Sequence, residues 1–170
     1  MPHLIPDVIP IDPIRFAPYG QMITATEDGK PYDDQDAQLV LDQGTPRFYI
    51  MRLGNKGLQF HHITRHRRCS QCLGSLYGQA WFLGVAPPRD LGDPDACPRP
   101  EEIVIFAIPG SCFVKLHPGT WHAGPYFTAP TMEFYNLELA DTNITDHHTC
   151  DLRARFDVTV EIVPPGCRHG

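Results

Sequence analysis

Apolar positions along this chain come in short runs, and most runs are rich in β-branched and aromatic side chains. Segments 47–53, 59–66, 80–85, 102–108 and 112–116 each read as a strand. Turn chemistry separates them: Gly54-Asn55-Lys56-Gly57, Pro87-Pro88-Arg89-Asp90, Pro109-Gly110 and His117-Pro118-Gly119. Two later segments, 131–139 and 156–163, alternate with period two, the pattern of a strand with one face in a core. A helical period is nowhere sustained beyond about ten residues, although Asp12-Pro13 can cap and open a single turn. Many short strands and little helix predict an all-β sandwich or barrel. The polar, Asp-rich stretch 26–45 reads as an exposed loop.

Length and composition then narrow the function classes. With 170 residues and 42% hydrophobic side chains, the chain is expected to form a single domain, 1–170, with a substantial core. No apolar run approaches the roughly 20 residues of a membrane span. The start, Pro2-His3-Leu4-Ile5-Pro6-Asp7, lacks the basic and apolar regions of a signal peptide, so a cytoplasmic protein with no membrane partner is expected. A net charge of −6 argues against a nucleic-acid partner. The short basic cluster Arg65-His66-Arg67-Arg68 reads either as a solvated loop or as a holder of a small anion through guanidinium forks. Among six cysteines, Cys69 and Cys72 have zinc-knuckle spacing, but no second pair completes four ligands. Free, mostly structural thiols are expected ahead of a zinc or redox role.

The histidines carry the candidate chemistry. Nine are present, most of them grouped as His61, His62 and His66, His117 and His122, and His147 and His148. Taken singly, His61, His62, His147 and His148 read as satisfied structural residues. The stretch His117-Pro118-Gly119-Thr120-Trp121-His122 differs, because a Pro-Gly turn between two β segments folds the chain back and can aim two imidazoles at one point. Neutral imidazole is an acid/base near pH 7 and a ligand for borderline divalent metals. On segment 131–139, alternation sends Glu133 and Glu138 to opposite faces. Each reads first as an exposed strand carboxylate; the one to face the interior, if either does, is Glu133, between Met132 and the aromatic pair Phe134-Tyr135.

Two of these segments resemble the motifs of the cupin superfamily. His66, Gln71 and Gly78 fit its first motif, with glutamine where many cupins have glutamate, and Gly119-Thr120-Trp121-His122 is similar to its second. The resemblance implies a cupin-like, jelly-roll β-barrel whose mouth brings the motifs together around His66, Gln71, His117 and His122. That set could hold one divalent metal ion, although an amide oxygen offers a cation less charge than a carboxylate. No organic cofactor is expected.

A closer resemblance is to the ureidoglycolate lyase family, also called ureidoglycolate hydrolase. Phe16-Ala17-Pro18-Tyr19-Gly20-Gln21-Met22-Ile23 fits its F-x-x-Y-G-x-x-I, Arg65, His66, Gln71 and Gly78 fit a second stretch, and His117 to His122 fits H-x-x-x-W-H. Residues 146–151 are similar to a late Asp/Cys segment. Two positions depart: Tyr77 stands where the family often has lysine, and Ala123 where it often has a further histidine. The resemblance implies a lyase that splits ureidoglycolate, an allantoin-derived purine breakdown product, into glyoxylate and urea. His66, His117, His122 and Arg65 are its candidate catalytic residues, with Arg65, Gln71, Tyr77, Trp121 and Glu133 binding a small anionic substrate. A homodimer is expected, since open sheets leave edges to be paired. The alternatives are a non-catalytic binding or sensor module for a small carboxylate, and another metal-dependent cupin enzyme.

Overall fold

Among residues 2–167, which the computed structural model describes, the chain forms strands β1 (His3–Leu4), β2 (Val8–Pro10), β3 (Gly20–Thr24), β4 (Pro46–Gly54), β5 (Gln59–Phe60), β6 (His62–Arg65) and β7 (Gln71–Ser75). They are followed by β8 (Trp81–Ala86), β9 (Val104–Ile108), β10 (Cys112–Leu116), β11 (Trp121–Tyr126), β12 (Thr131–Leu139), β13 (His148–Asp151) and β14 (Thr159–Glu161). Helix is confined to short pieces, chiefly α1 (Pro13–Phe16), α2 (Thr142–Thr145) and α3 (Leu152–Phe156). Asp12 caps α1 as its position suggests, its Oδ1 accepting from the N–H groups of Ile14 and Arg15 at 2.9 Å each.

One sheet runs in the order β3-β10-β7-β12-β4, a second in the order β13-β6-β11-β8-β9-β2, and a small third in the order β1-β14-β5. Alternation along the strands sorts the apolar residues into two cores. Trp81, Leu83 and Val85 of β8 and Phe106 and Ile108 of β9 pack with Leu73, Val114, Leu116 and Phe134, residues of the five-stranded sheet. The intervening positions, with Ile63 of β6 and Trp121 and Ala123 of β11, pack with Phe60, Leu152, Val160 and Ile162 in a second core. The six-stranded sheet is therefore covered on both faces, which is why its strands read as apolar runs rather than as alternating ones.

The mostly β class with little helix agrees with the sequence pattern; a closed barrel is not formed. No strand pairing joins the five- and six-stranded sheets among the described residues, so they face one another as a β-sandwich. Two further expectations are corrected. Segment 156–163 is strand only at Thr159–Glu161, because residues 152–156 form α3 and Asp157, with φ +56°, ends it in the left-handed conformation. The six cysteines are not all free: Cys97 and Cys150 are joined in a disulfide that ties the 87–103 connection to β13, with Cα atoms 5.4 Å apart. Cys69, Cys72 and Cys112 are buried free thiols, and Cys167 is an exposed one. Stretch 26–45 is largely exposed and irregular, and it is fastened at Val40, whose N–H donates to Ser70 Oγ at 2.8 Å. No helix among the described residues is long and apolar enough to cross a membrane.

Phe134 is fully buried, and its ring meets Trp81 edge-on at 5.3 Å across the sandwich. Phe134→Ala is expected to destabilise the fold by about 3–5 kcal/mol, read as a lower urea midpoint. A loss below 1 kcal/mol would mean that the two sheets are not held together at this pair.

Candidate functional site

At one end of the sandwich the apolar filling gives way to polar side chains around a cavity of about 470 Å³. The transition is visible along single strands. On β12, Met132 and Phe134 face the core, and the next two positions of the same face are Asn136 and Glu138, both nearly inaccessible to solvent. On β7, Gln71 precedes the core residue Leu73 on its face. The opposite wall comes from β6 and β11, where His62, Thr64 and His122 line the cavity, joined by His66 and His147.

Parity decides which member of each neighbouring pair enters. Ile63 and Arg65 alternate with His62 and Thr64, so Arg65 turns to the far side of the sheet and His66, past the strand end, turns in. Trp121 and His122 divide in the same way. On the far side the Arg65 guanidinium lies over the Trp121 ring, 4.6 Å from its centroid. There it donates to the carbonyl oxygens of Arg89 at 2.7 Å, of Asp90 at 3.1 Å and of Asp93 at 2.8 Å, and from Nε to His148 Nδ1 at 3.0 Å. Its donors are spent on a loop. His117 also leaves the site: Leu116 is a core residue, so Lys115 and His117 point away from the core. His117 Nε2 donates to the Ala17 carbonyl at 3.0 Å, and its Nδ1 accepts from Lys115 Nζ at 3.2 Å.

The two sequence motifs nevertheless meet through the backbone. The Gly119 N–H donates to the His66 carbonyl at 2.6 Å, setting the turn before β11 against the end of β6. Gly119 has φ +85°, and a Cβ there would fall on the Leu91 side chain, so the Pro-Gly turn admits little else. The rings of His66 and His122 lie 5.1 Å apart, and those of His66 and His147 5.6 Å apart.

Hydrogen bonds to carbonyls set the tautomers. His66 Nδ1 is 2.7 Å from the Asp146 carbonyl and His122 Nδ1 is 3.2 Å from that of Thr120. A carbonyl only accepts, so Nδ1 carries the proton in both rings and Nε2 is left as a lone-pair acceptor. Neither Nε2 has a protein partner among the described residues. The Asp146 carboxylate accepts from the N–H groups of Arg67 and Arg68 at 2.8 Å each, which holds the segment after His66 in place. Burial, reinforced by the neighbouring His66 ring, pulls the His122 pKa down to about 3. Burial also lowers that of His66, although the Asp146 carbonyl works against the shift.

The facing wall is a network of donors and acceptors. Gln71 Nε2 donates to Asn136 Oδ1 at 2.9 Å and to Glu138 Oε2 at 3.4 Å. Glu138 Oε1 accepts from Tyr49 OH and Asn143 Nδ2, each at 3.3 Å, and Asn136 Nδ2 donates to Tyr49 OH at 3.1 Å. Gln71 Oε1 is buried with no partner among the described residues. Among the described residues, Lys56 is the one lysine or arginine lining the cavity.

Of the residues expected from sequence, His66, Gln71 and His122 thus line one cavity, whereas Arg65, His117, Tyr77, Trp121 and Glu133 do not. Glu133 occupies the outward parity of β12, pairing with Arg52 at 2.7 Å and accepting from Tyr77 OH at 3.1 Å. Its apolar neighbours Met132 and Phe134 are themselves the inward positions, so flanking them marks Glu133 as outward. Counting on from Phe134 by two reaches Asn136 and Glu138, the signal by which they could have been found. Tyr49, Asn143 and His147 carry no such signal. With His117 turned away, the set His66, Gln71, His117 and His122 cannot close on one metal ion.

No model of a known protein family matches the chain. Over 127 residues, 66% of this chain and 72% of the relative, it is 25% identical to a protein named ureidoglycolate lyase from Azotobacter vinelandii. The likeness is distant. It supports an enzyme related to lyases.

The two roles for Arg65 separate experimentally. Arg65→Lys removes the fork that satisfies three carbonyls and is expected to cost about 3 kcal/mol in urea unfolding while leaving the KM of the folded protein unchanged. A large rise in KM at unaltered stability would return Arg65 to the substrate.

Proposed function

We propose that this protein is a carbon–nitrogen lyase acting on ureidoglycolate, releasing urea and leaving glyoxylate. The observation that carries the reading is the cavity itself, with imidazole nitrogens free to accept on one wall and an amide and carboxylate network on the other. The distant relative's name supports the same substrate.

Ureidoglycolate carries a hydroxyl, a carboxylate and a ureido nitrogen on one carbon. His122 Nε2 takes the hydroxyl proton; the O–H electron pair becomes the new C=O bond as the C–N bond breaks and its electrons stay on nitrogen. The imidazolium then returns the proton to that nitrogen, so the atoms and charges of glyoxylate and urea balance. Burial that holds the pKa of the ring at about 3 keeps Nε2 unprotonated and makes the ring a weak base, so the proton is taken only as the C–N bond breaks and is passed on at once. His66 and His147 stand beside it to relay or orient. The ureido N–H groups have acceptors in Gln71 Oε1 and Glu138, and the substrate carboxylate faces Lys56 at the rim. These assignments replace Arg65 as carboxylate clamp and His117 as base.

The test is a direct assay of the purified protein with ureidoglycolate, following glyoxylate and urea. Equal release of both is expected, with kcat/KM reduced about 10²–10⁴-fold in His122→Ala. Ligand-dependent melting without product would favour a binding module instead, and full activity in His122→Ala would remove that residue from the chemistry.

Pairing with a second copy belongs to the same proposal. The outer face of the five-stranded sheet carries Phe48 and Ile50, 70% and 60% exposed, beside Tyr135, with β4 as an open edge. Sedimentation at the mass of two chains, reduced to one by Phe48→Glu, is the expected result; a monomer at all concentrations would withdraw it.

A further inference from the structure

We propose that His61, His62 and Asp151 form a binding site for one divalent transition-metal ion at the rim of the cavity, with a coordination position left open. The proposal does not depend on the lyase reading.

The site arises from an interruption of the strand. β5 ends at Phe60 and β6 begins at His62, leaving His61 in a bend between them. A continuous strand would send adjacent side chains to opposite faces. The bend instead leaves the two imidazoles together, ring centroids 4.1 Å apart, both at the cavity mouth. Asp151 is the register partner of His62 across the β6–β13 pairing, and the Leu152 N–H donates to the His61 carbonyl at 2.7 Å. Backbone pairing therefore positions all three residues.

One donor atom from each of the three lies within 4.8 Å of the other two. On an ion at about 2.0–2.2 Å, tetrahedral donors sit roughly 3.4 Å apart. His62 Nε2 and Asp151 Oδ2 already stand at 3.5 Å, so closing the site asks mainly for a small movement of His61. The carboxylate is oriented beforehand. Asp151 Oδ1 accepts from the N–H groups of Arg153 at 3.0 Å and Ala154 at 3.1 Å, capping α3 and leaving Oδ2 for the histidines. The His61 ring has no hydrogen-bond partner among the described residues. Two imidazoles and one carboxylate are the ligand types preferred by zinc and its neighbours. His62 and Asp151 are about half exposed, so the fourth position would face water or an anionic group at the mouth.

Equilibrium dialysis of the full chain against zinc, followed by metal analysis, tests the site. One retained equivalent is expected, with affinity at least roughly tenfold lower in His62→Gln and in Asp151→Asn, and unchanged in His122→Ala. Asparagine still caps a helix, and unchanged circular dichroism would separate ligand loss from unfolding. The proposal is overturned if the folded wild-type chain retains no zinc, or if His62→Gln and Asp151→Asn bind as the wild type does. Loss in His122→Ala alone would also overturn it, moving the ion into the cavity.

Discussion

A β-strand sends successive side chains to opposite faces, and in this protein the strands that carry the histidine wall of the site have a packed core on one face and the cavity on the other. That constraint organises the rest. β6 and β11 lie side by side in the six-stranded sheet, with the second core on their outer face and the cavity on the other. Each of their residues is assigned by parity to one side or the other. His122 faces the cavity because Trp121 fills the outer core, and His66 turns in where Arg65 has turned out. A shift of one residue in either strand would exchange these pairs, placing an arginine and a tryptophan in the cavity and imidazoles among apolar side chains. The hydrogen bond from Gly119 to His66 fixes the relative placement of the two segments.

Arg65 shows how a residue type suited to ligands can be taken up by architecture. Fully buried, it ties the 89–93 loop to the sheet through three carbonyls while stacking on Trp121. A guanidinium has the fork for such a task, and an ammonium does not. The Cys97–Cys150 disulfide fastens the same connection to β13, near the residues that bring His147 and His148 to the sheet. The cavity wall is thus supported from behind by a cation and a covalent bond rather than by hydrophobic packing alone.

Within the cavity the two walls differ in kind. One offers imidazole nitrogens whose protons are already assigned by backbone carbonyls and whose charged forms are disfavoured by burial. The other offers a linked set of amide, phenol and carboxylate groups with one carbonyl oxygen unsatisfied. A small molecule with several N–H donors and a labile proton suits such a pair of walls better than an apolar ligand would.

The sequence by itself determined the β class, most strand positions, the turn at His117-Pro118-Gly119 and the Asp12 cap. These depend on local periodicity and turn chemistry, which neighbouring residues carry in full. The meeting of the His66 and His122 segments followed from the resemblance to cupin motifs and not from spacing. The sequence named adjacent pairs such as Arg65 with His66 and Trp121 with His122 without separating them, because polar side chains stand on both faces of their strands, imidazoles toward the cavity and a guanidinium behind it, so alternation does not report which side is which. Only the tertiary structure turned Arg65 and His117 away, set Glu138 inside in place of Glu133, and joined Cys97 to Cys150. It also left the sandwich open where a closed barrel was expected. Each of these outcomes depends on a partner many residues away, on the loop Arg65 holds, the carbonyl of Ala17, or the strand opposite Glu138, and such partners leave no mark in the local pattern.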